Sequence, residues 1–382
     1  MKATKKKALA FMKASKKKGA LIPLLSTAFL LLYLIYQVSG NSILPVFKEE
    51  NLDNLVYLET LPGLENSLVI SIGGNVNPLP VSRLPDNVEP PFFCPTVSET
   101  LSFSDLNIAN LMAPIVEDDY EALDKANAWG DTPETAPLLK KAGIDLIQVS
   151  GHHILDYGAP GLINTLTMLK SQDITALGAG LNSEEAFTPY YYTKEGLTVG
   201  ILAFNASPPL GWTAGTNRLG VTGGEEEMIK TILKEMEQKS QLSLVLVSFK
   251  DSHSSKASAE QKEFARQLVN MGTHIVVGTG ANIVQETELY QGGIIFYNLG
   301  NFTAPPSMYS YQREGVLITL ILTPQGENLI FALPLQVDRP VNSSCPIELR
   351  KKILDFKIFS RIKGETPWEQ HQGYLKLLPG NL

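Results

Sequence analysis

Residues 150–158 read SGHHILDYG and place two adjacent histidines three and four residues before an aspartate, in a segment closed by glycine. An imidazole can ligate a metal or move a proton near neutral pH, and a nearby carboxylate can orient it. The segment follows the apolar run 144–149 and precedes a helix whose first turn contains Pro160, a position that suits proline. A strand exit leading into a helix is where a metallohydrolase keeps a ligand and an acid. The loops that should complete such a site carry few ligands.

One way to rebuild a centre is to bring His152, His153, Asp156, Asp251 and His253 around a single zinc-like ion, given nitrogen and oxygen ligands from two loops. Three features oppose it. Neighbouring residues of an extended segment point to opposite faces, which separates His152 from His153. Asp156 suits a cap or brace for the turn before the Pro160 helix. His253 lies in a serine-rich loop that reads as solvated. No metal or other cofactor is therefore expected, with this divalent site as the alternative.

Charge is distributed unevenly along the 382 residues. Eight of the 32 basic residues fall in 1–19, which holds no acid, so 24 basic residues face 39 acidic ones in the remainder, a formal charge near −15. Residues 20–38 (ALIPLLSTAFLLLYLIYQV) are uncharged and mostly aliphatic, close to the ~20 residues that span a hydrocarbon core as helix. Lysines before this stretch hold an N-terminus in the cytoplasm. The expected order is a basic cytoplasmic segment 1–19, a single-pass anchor 20–38, a connector 39–65, an extracytoplasmic domain 66–338 and a C-terminal extension 339–382. Cleavage as a signal peptide after Val38-Ser39-Gly40 is the competing reading, and it leaves the domain on the same side of the membrane. An acidic domain excludes a nucleic-acid partner and a broad polyanion-binding face. Cys94 and Cys345 are permitted a disulfide outside the membrane, which their distant positions do not imply, and they lack zinc-site spacing.

Within 66–338 the pattern predicts strands at 68–72 (ending at Gly73-Gly74), 106–111, 144–149, 174–177, 190–193, 197–204, 242–249, 275–277 and 294–297. Helices are expected up to Ala142, from Pro160 to Ser171, over 225–239 and over 257–271. Lys194-Glu195-Gly196 reads as a hairpin turn. Helices alternate with strands early and hairpins follow, which predicts an α/β sandwich of mixed sheets covered by helices. Several features have structural readings. Gly178-Ala179-Gly180 is a tight strand exit, Tyr190-Tyr191-Tyr192 is sheet packing, Glu225-Glu226-Glu227 is a solvated helix start, His274 opens a strand, and His371 sits in a polar tail.

The ordered segments GNVN (74–77), NLMAPI (110–115), GIDLIQVSGHHILDYG (143–158), ALGAGLNSEEA (176–186) and GTHIVVGTGANIVQ through YNLGNF (272–302) resemble the CapA/PgsA family of poly-γ-glutamate capsule biosynthesis. The resemblance implies a calcineurin-like metallophosphoesterase fold, a four-layer αββα sandwich, attached to the membrane by one N-terminal helix. It also implies where a metal site would be, and there the chain departs from the family. Asn75 stands at the aspartate of GDV, and Met112 at the glutamate of NLE after Asn110. In the pattern ANNHxxDYG, His152 replaces the second asparagine and His153 is retained. Lys250-Asp251-Ser252 aligns with HWG, and Gly280 and Asn282 replace the two histidines of GxHPHV, while Asn301 lies in the well-preserved stretch 297–302.

Two divalent cations carry four positive charges that carboxylates normally offset. Here those carboxylates are missing and Lys250 adds a positive charge. The expectation is a non-catalytic scaffold that helps make, export or retain an anionic surface polymer alongside synthesis or export proteins. An anion pocket at Lys250, His152 and His153 could accept a phosphate or carboxylate. A hydrolase or transpeptidase with a one-metal site and an unrelated surface interaction module are the alternatives.

Overall fold

The computed structural model describes residues 66–76, 95–123, 128–223, 226–250, 254–303, 314–324, 326, 328–337, 368–371 and 374–377. The basic segment 1–19, the apolar span 20–38, the connector 39–65, Cys94, Asp251, His253 and Cys345 lie outside them. Among the described residues no helix is long and apolar enough to cross a membrane.

In chain order the elements are β1 (Leu68–Val76), α1 (Pro95–Phe103), β2 (Leu106–Leu111), α2 (Thr135–Lys141), β3 (Leu146–Gln148), α3 (Gly158–Ser171), β4 (Thr175–Leu177), β5 (Ala179–Gly180), α4 (Ser183–Phe187), β6 (Tyr190–Lys194), β7 (Leu197–Asn205) and β8 (Gly220–Val221). There follow α5 (Glu226–Lys239), β9 (Leu242–Ser248), α6 (Ala259–Asn270), β10 (Ile275–Thr279), β11 (Thr287–Tyr290), β12 (Gly293–Phe296), β13 (Asn301–Thr303), β14 (Glu314–Leu322), β15 (Leu329–Gln336), β16 (Trp368–His371) and β17 (Tyr374–Leu377).

Two mixed sheets result. The first runs β16-β17-β15-β14-β1-β2-β3-β4, with β13 also on β1. In it β13, β1, β2, β3 and β4 are mutually parallel where they pair. The second runs β11-β12-β10-β9-β7-β6, parallel through β12, β10, β9 and β7 and closed at each edge by an antiparallel hairpin. Alternation of period two sorts each strand's side chains between its faces. Leu68, Ile70 and Ile72 of β1 meet Leu242, Leu244 and Leu246 of β9 in the core between the sheets. On the far side of the first sheet, Val97, Leu101, Leu139, Leu162 and Leu169 cover it from α1, α2 and α3. Ile229, Leu233, Ala265 and Leu268 cover the second from α5 and α6. Both sheets are thus buried on two faces, which is why their strands read as continuous apolar runs.

Local chemistry accounts for the boundaries. Ser258 and Gln261 form a reciprocal capping box that starts α6. Gly143, at φ +83°, ends the helix before β3. Glu195 and Gly196 both take positive φ, joining β6 to β7 by the expected tight turn. Three expectations need correction. The strand expected at 68–72 continues to Val76, because Gly73 and Gly74 lie inside it. Ile72 pairs with Ile108 but Asn75 pairs with Asn110, so the glycines supply a bulge. Only glycine fits at 74, since a Cβ there would overlap the Gly300 carbonyl oxygen. The strand expected at 144–149 is shorter, pairing only over Leu146–Gln148. The segment read as a C-terminal extension carries the hairpin of β16 and β17, and β17 pairs with β15. His371 therefore belongs to a strand of the first sheet.

His274, just before β10, is held at a seam between strands. Its Nδ1 accepts from Ser243 N at 3.1 Å and lies 2.8 Å from Ser243 Oγ, which puts the ring proton on Nε2. Burial pushes its pKa below the ordinary histidine value. As pH falls through about 6.5 the unfolded chain takes up this proton before the folded one, so stability is lost toward acid. Between about pH 7.5 and about pH 5, the urea midpoint should fall further for the wild type than for His274→Asn; equal falls would mean that His274 does not sense pH.

Candidate functional site

The polar residues gather where the parallel strands of both sheets end. In register across four neighbouring strands stand Asn301 on β13, Asn75 on β1, Asn110 on β2 and Gln148 on β3, all buried. The bulge at Gly73-Gly74 gives Asn75 the strand partner that follows the parity of Ile108, so its side chain reaches the loop after β10 in the opposite sheet. Asn75 Oδ1 accepts from Asn110 Nδ2 and from the Gly280 backbone N–H, each at 3.0 Å. Its Nδ2 donates to the Ala281 carbonyl at 3.0 Å and lies 3.5 and 3.4 Å from Oδ1 of Asn282 and Asn301. Asn110 Nδ2 also reaches Met112 Sδ at 3.3 Å.

A second set of bonds continues this belt. Thr279 Oγ1 donates to Gln148 Oε1 at 3.0 Å, Ser150 Oγ to the Phe204 carbonyl at 3.1 Å, and Asn205 Nδ2 to the Ser150 carbonyl at 2.8 Å. Gln148, Ser150, Asn205 and Thr279 were not singled out from the sequence. Their signal is a polar residue at or just beyond the end of an apolar strand, as in DLIQ and ILAFN.

These residues do not fit the two cations that the family resemblance implies. The cluster offers amides, a thioether and backbone groups, with no carboxylate to offset positive charge. Asn75 aims an N–H at Ala281, and its oxygen already receives two donors. Gly280 takes φ +95°, and a Cβ on it would overlap the Phe249 carbonyl oxygen, so this position has no room for an imidazole. Among the described residues no group of three or more His, Cys, Asp or Glu side chains could hold a metal. The single-ion alternative needs Asp251 and His253, which lie outside the described residues.

The double histidine lies on a turn spanning 151–157, not on an extended strand end, so alternation does not separate the two rings. His152 is half-buried. His153 Nδ1 lies 2.7 Å from Asp156 Oδ2, with Asp156 fully buried and the histidine side chain 24% exposed. Asp156 does not cap α3, whose N-cap is Tyr157 without a side-chain bond. Its Oδ2 instead also accepts from Trp129 N at 2.8 Å. The Trp129 indole stacks on the His153 ring, centroids 4.5 Å apart and planes 6° from parallel. An ionised Asp156 accepts a hydrogen bond from Nδ1–H, and in that arrangement Nε2 is the basic nitrogen of the neutral ring. The pair can therefore move a proton or, when protonated, face an anion. Lys250 is solvent-exposed, and among the described residues it forms no hydrogen bond or ion pair with His152 or His153.

With this geometry in place, comparison with known proteins assigns the family. Residues 77–305 match the model for Bacterial capsule synthesis protein PGA_cap, which is more than half of the chain, and the chain belongs to that family. It is 28% identical over 259 residues to the capsule biosynthesis protein CapA of Bacillus anthracis, covering 65% of this chain and 63% of that protein. It is 24% identical over 260 residues to the PGA biosynthesis protein CapA of Bacillus subtilis, covering 68% and 67%. A probable polyglutamine synthesis accessory protein of Mycobacterium tuberculosis is 23% identical over 254 residues, covering 62% and 67%. The chain thus spans just under two thirds of the length of the B. anthracis relative. Among solved structures, the NAD nucleotidase of Haemophilus influenzae aligns at a TM-score of 0.44 with 11% identity, covering 71% of this chain and 56% of that one. A 5′-nucleotidase precursor of Thermus thermophilus aligns at 0.44 with 12% identity, covering 71% and 54%. Family membership sets aside the reading as an unrelated surface module.

Gly280→Ala should destabilise the domain by at least about 2 kcal/mol, because it combines a left-handed φ with a backbone overlap. Urea unfolding measures this, and an unchanged midpoint would show that the loop after β10 can move aside.

Proposed function

We propose that this protein is a non-catalytic scaffold for making or exporting a poly-γ-glutamate-type capsule polymer, held at the cell membrane by residues 20–38 with its N-terminus in the cytoplasm and 66–338 outside. The observation that carries the reading is the amide cluster. Asn75, Asn110, Asn282 and Asn301 bond one another and the backbone at the ends of the parallel strands, where a calcineurin-like metallophosphoesterase would need carboxylates and imidazoles. Without two cations there is no clamp on attacking and leaving oxygens and no acidified water. What remains is a rigid domain presented to the polymer machinery. Its partners are the synthesis and export proteins of the polymer, and its acidic surface keeps an anionic chain from spreading over it. Any contact with a carboxylate or phosphate is confined to a small basic spot such as His152, His153 and the exposed Lys250.

One observation favours a second reading, a hydrolase or transpeptidase. His153 and Asp156 form a buried-carboxylate pair of the kind that supports acid–base chemistry, steadied by Trp129. In cells lacking the gene, polymer on the surface should be restored to the wild-type amount by the His153→Ala protein, with membrane levels confirmed by immunoblot. If His153→Ala restores no more polymer than an empty vector while the protein is present at wild-type level, the hydrolase reading replaces the scaffold.

A further inference from the structure

Asn75 is selected by two backbone groups whose hydrogen-bonding roles cannot change. Gly280 N–H is a donor and the Ala281 carbonyl is an acceptor. They are consecutive in the loop after β10, and each is 3.0 Å from its atom of the Asn75 amide. Asn75 is fully buried, so water does not stand in for either bond. A side chain here must accept and donate at once, and an amide does so. These two bonds also settle which atom of the amide is oxygen, a choice that geometry alone often leaves open. An ionised carboxylate would satisfy Gly280 and set two oxygens against each other at Ala281. The same oxygen would face Asn282 Oδ1 and Asn301 Oδ1, which lie 3.5 and 3.4 Å from the present nitrogen.

The bonds run between sheets. Asn75, Asn110 and Asn301 belong to the first sheet, whereas Gly280, Ala281 and Asn282 follow β10 of the second. We propose that this cluster is a metal-independent clamp joining the two sheets at the ends of their parallel strands, and that asparagine at 75 is required by the fold itself. Its amides do by hydrogen bonding what an ion shared between the sheets would do by coordination. Every side chain of the clamp is uncharged and no carboxylate of it offsets a cation, so the clamp is expected to hold with or without one. The scaffold reading leans on the same cluster, but the clamp does not rest on that reading, since a protein that worked through His153 would keep the same clamp.

Thermal unfolding of the full-length protein in detergent tests it, with excess EDTA in one arm and millimolar Mn²⁺ in the other. The wild-type Tm should be the same in both arms. Asn75→Asp should lower Tm by roughly 5–10 °C at neutral pH in both arms. That deficit should shrink as pH falls toward about 5, because a protonated carboxyl regains a donor for Ala281 and a buried one takes up its proton early. A wild-type Tm that drops in EDTA or rises saturably with Mn²⁺ overturns the metal-independent clamp. An Asn75→Asp protein as stable as the wild type, or restored by Mn²⁺, overturns the requirement for asparagine. If Asn75→Asp yields no folded protein, Asn110→Asp takes its place. It replaces the donor to Asn75 Oδ1 by a carboxylate, and its Tm should fall without recovery in Mn²⁺; no fall, or recovery, overturns the clamp.

Discussion

The fold depends on one buried side chain being read from both ends. Asn75 accepts a hydrogen bond from the Gly280 N–H and donates one to the Ala281 carbonyl, and through that amide the two sheets meet where their parallel strands stop. Further along the strands the interface is aliphatic, from Ile70 and Ile72 against Leu244 and Leu246, and hydrophobic contact of that kind is non-directional. The amide belt supplies direction. An unmet donor or acceptor in a dry interior costs about 1–3 kcal/mol, so a slip of one sheet over the other would break several bonds together. The glycine bulge at 73–74 serves this arrangement, because without the extra residue Asn75 would face the helices covering the first sheet.

Around this belt the structure separates two kinds of polar residue. The asparagines of the belt bond one another and backbone, which makes them parts of the frame, although Oδ1 of Asn110 is buried without a hydrogen-bond partner among the described residues. His153 stands outside it, on the turn before α3, with Asp156 behind it and Trp129 against its face. Trp129 binds both members of the pair, the carboxylate through its backbone N–H and the imidazole through its ring. The loop carrying it is tied down at Asp131, whose backbone N–H donates to the Pro114 carbonyl. These two contacts hold the orientation of the His153 ring.

Much of the architecture was legible in the chain. Apolar runs such as LNIANL and LSLVLVS are β-branched or leucine-rich, short, and bounded by turn residues, so their burial on two faces could be anticipated. Helix limits followed from Gly143 and Pro160. Less legible were the glycine pair inside β1, which looks like a strand end until Gly300 and Phe302 are seen packed against it, and the hairpin after residue 367, whose sheet partner lies about forty residues earlier. For the site, uncharged residues at 75 and 112, where the family resemblance implies carboxylates, were visible by residue type. The role of Asp156 was not, because a cap and a histidine partner look alike in sequence.

The amino-acid sequence by itself determined the family, the order of strands and helices, and the presence of the uncharged residues Asn75, Met112, Gly280 and Asn282 where the family resemblance implies carboxylates and imidazoles. Only the tertiary structure decided that these replacements form a bonded cluster and not a gap. Asn75 and Gly280 are 205 residues apart, and no local pattern encodes whether an amide at one will meet a donor at the other. Hydrogen bonds are directional and act over about 3 Å, so such a pairing exists only once sheet packing has brought both strand ends into register.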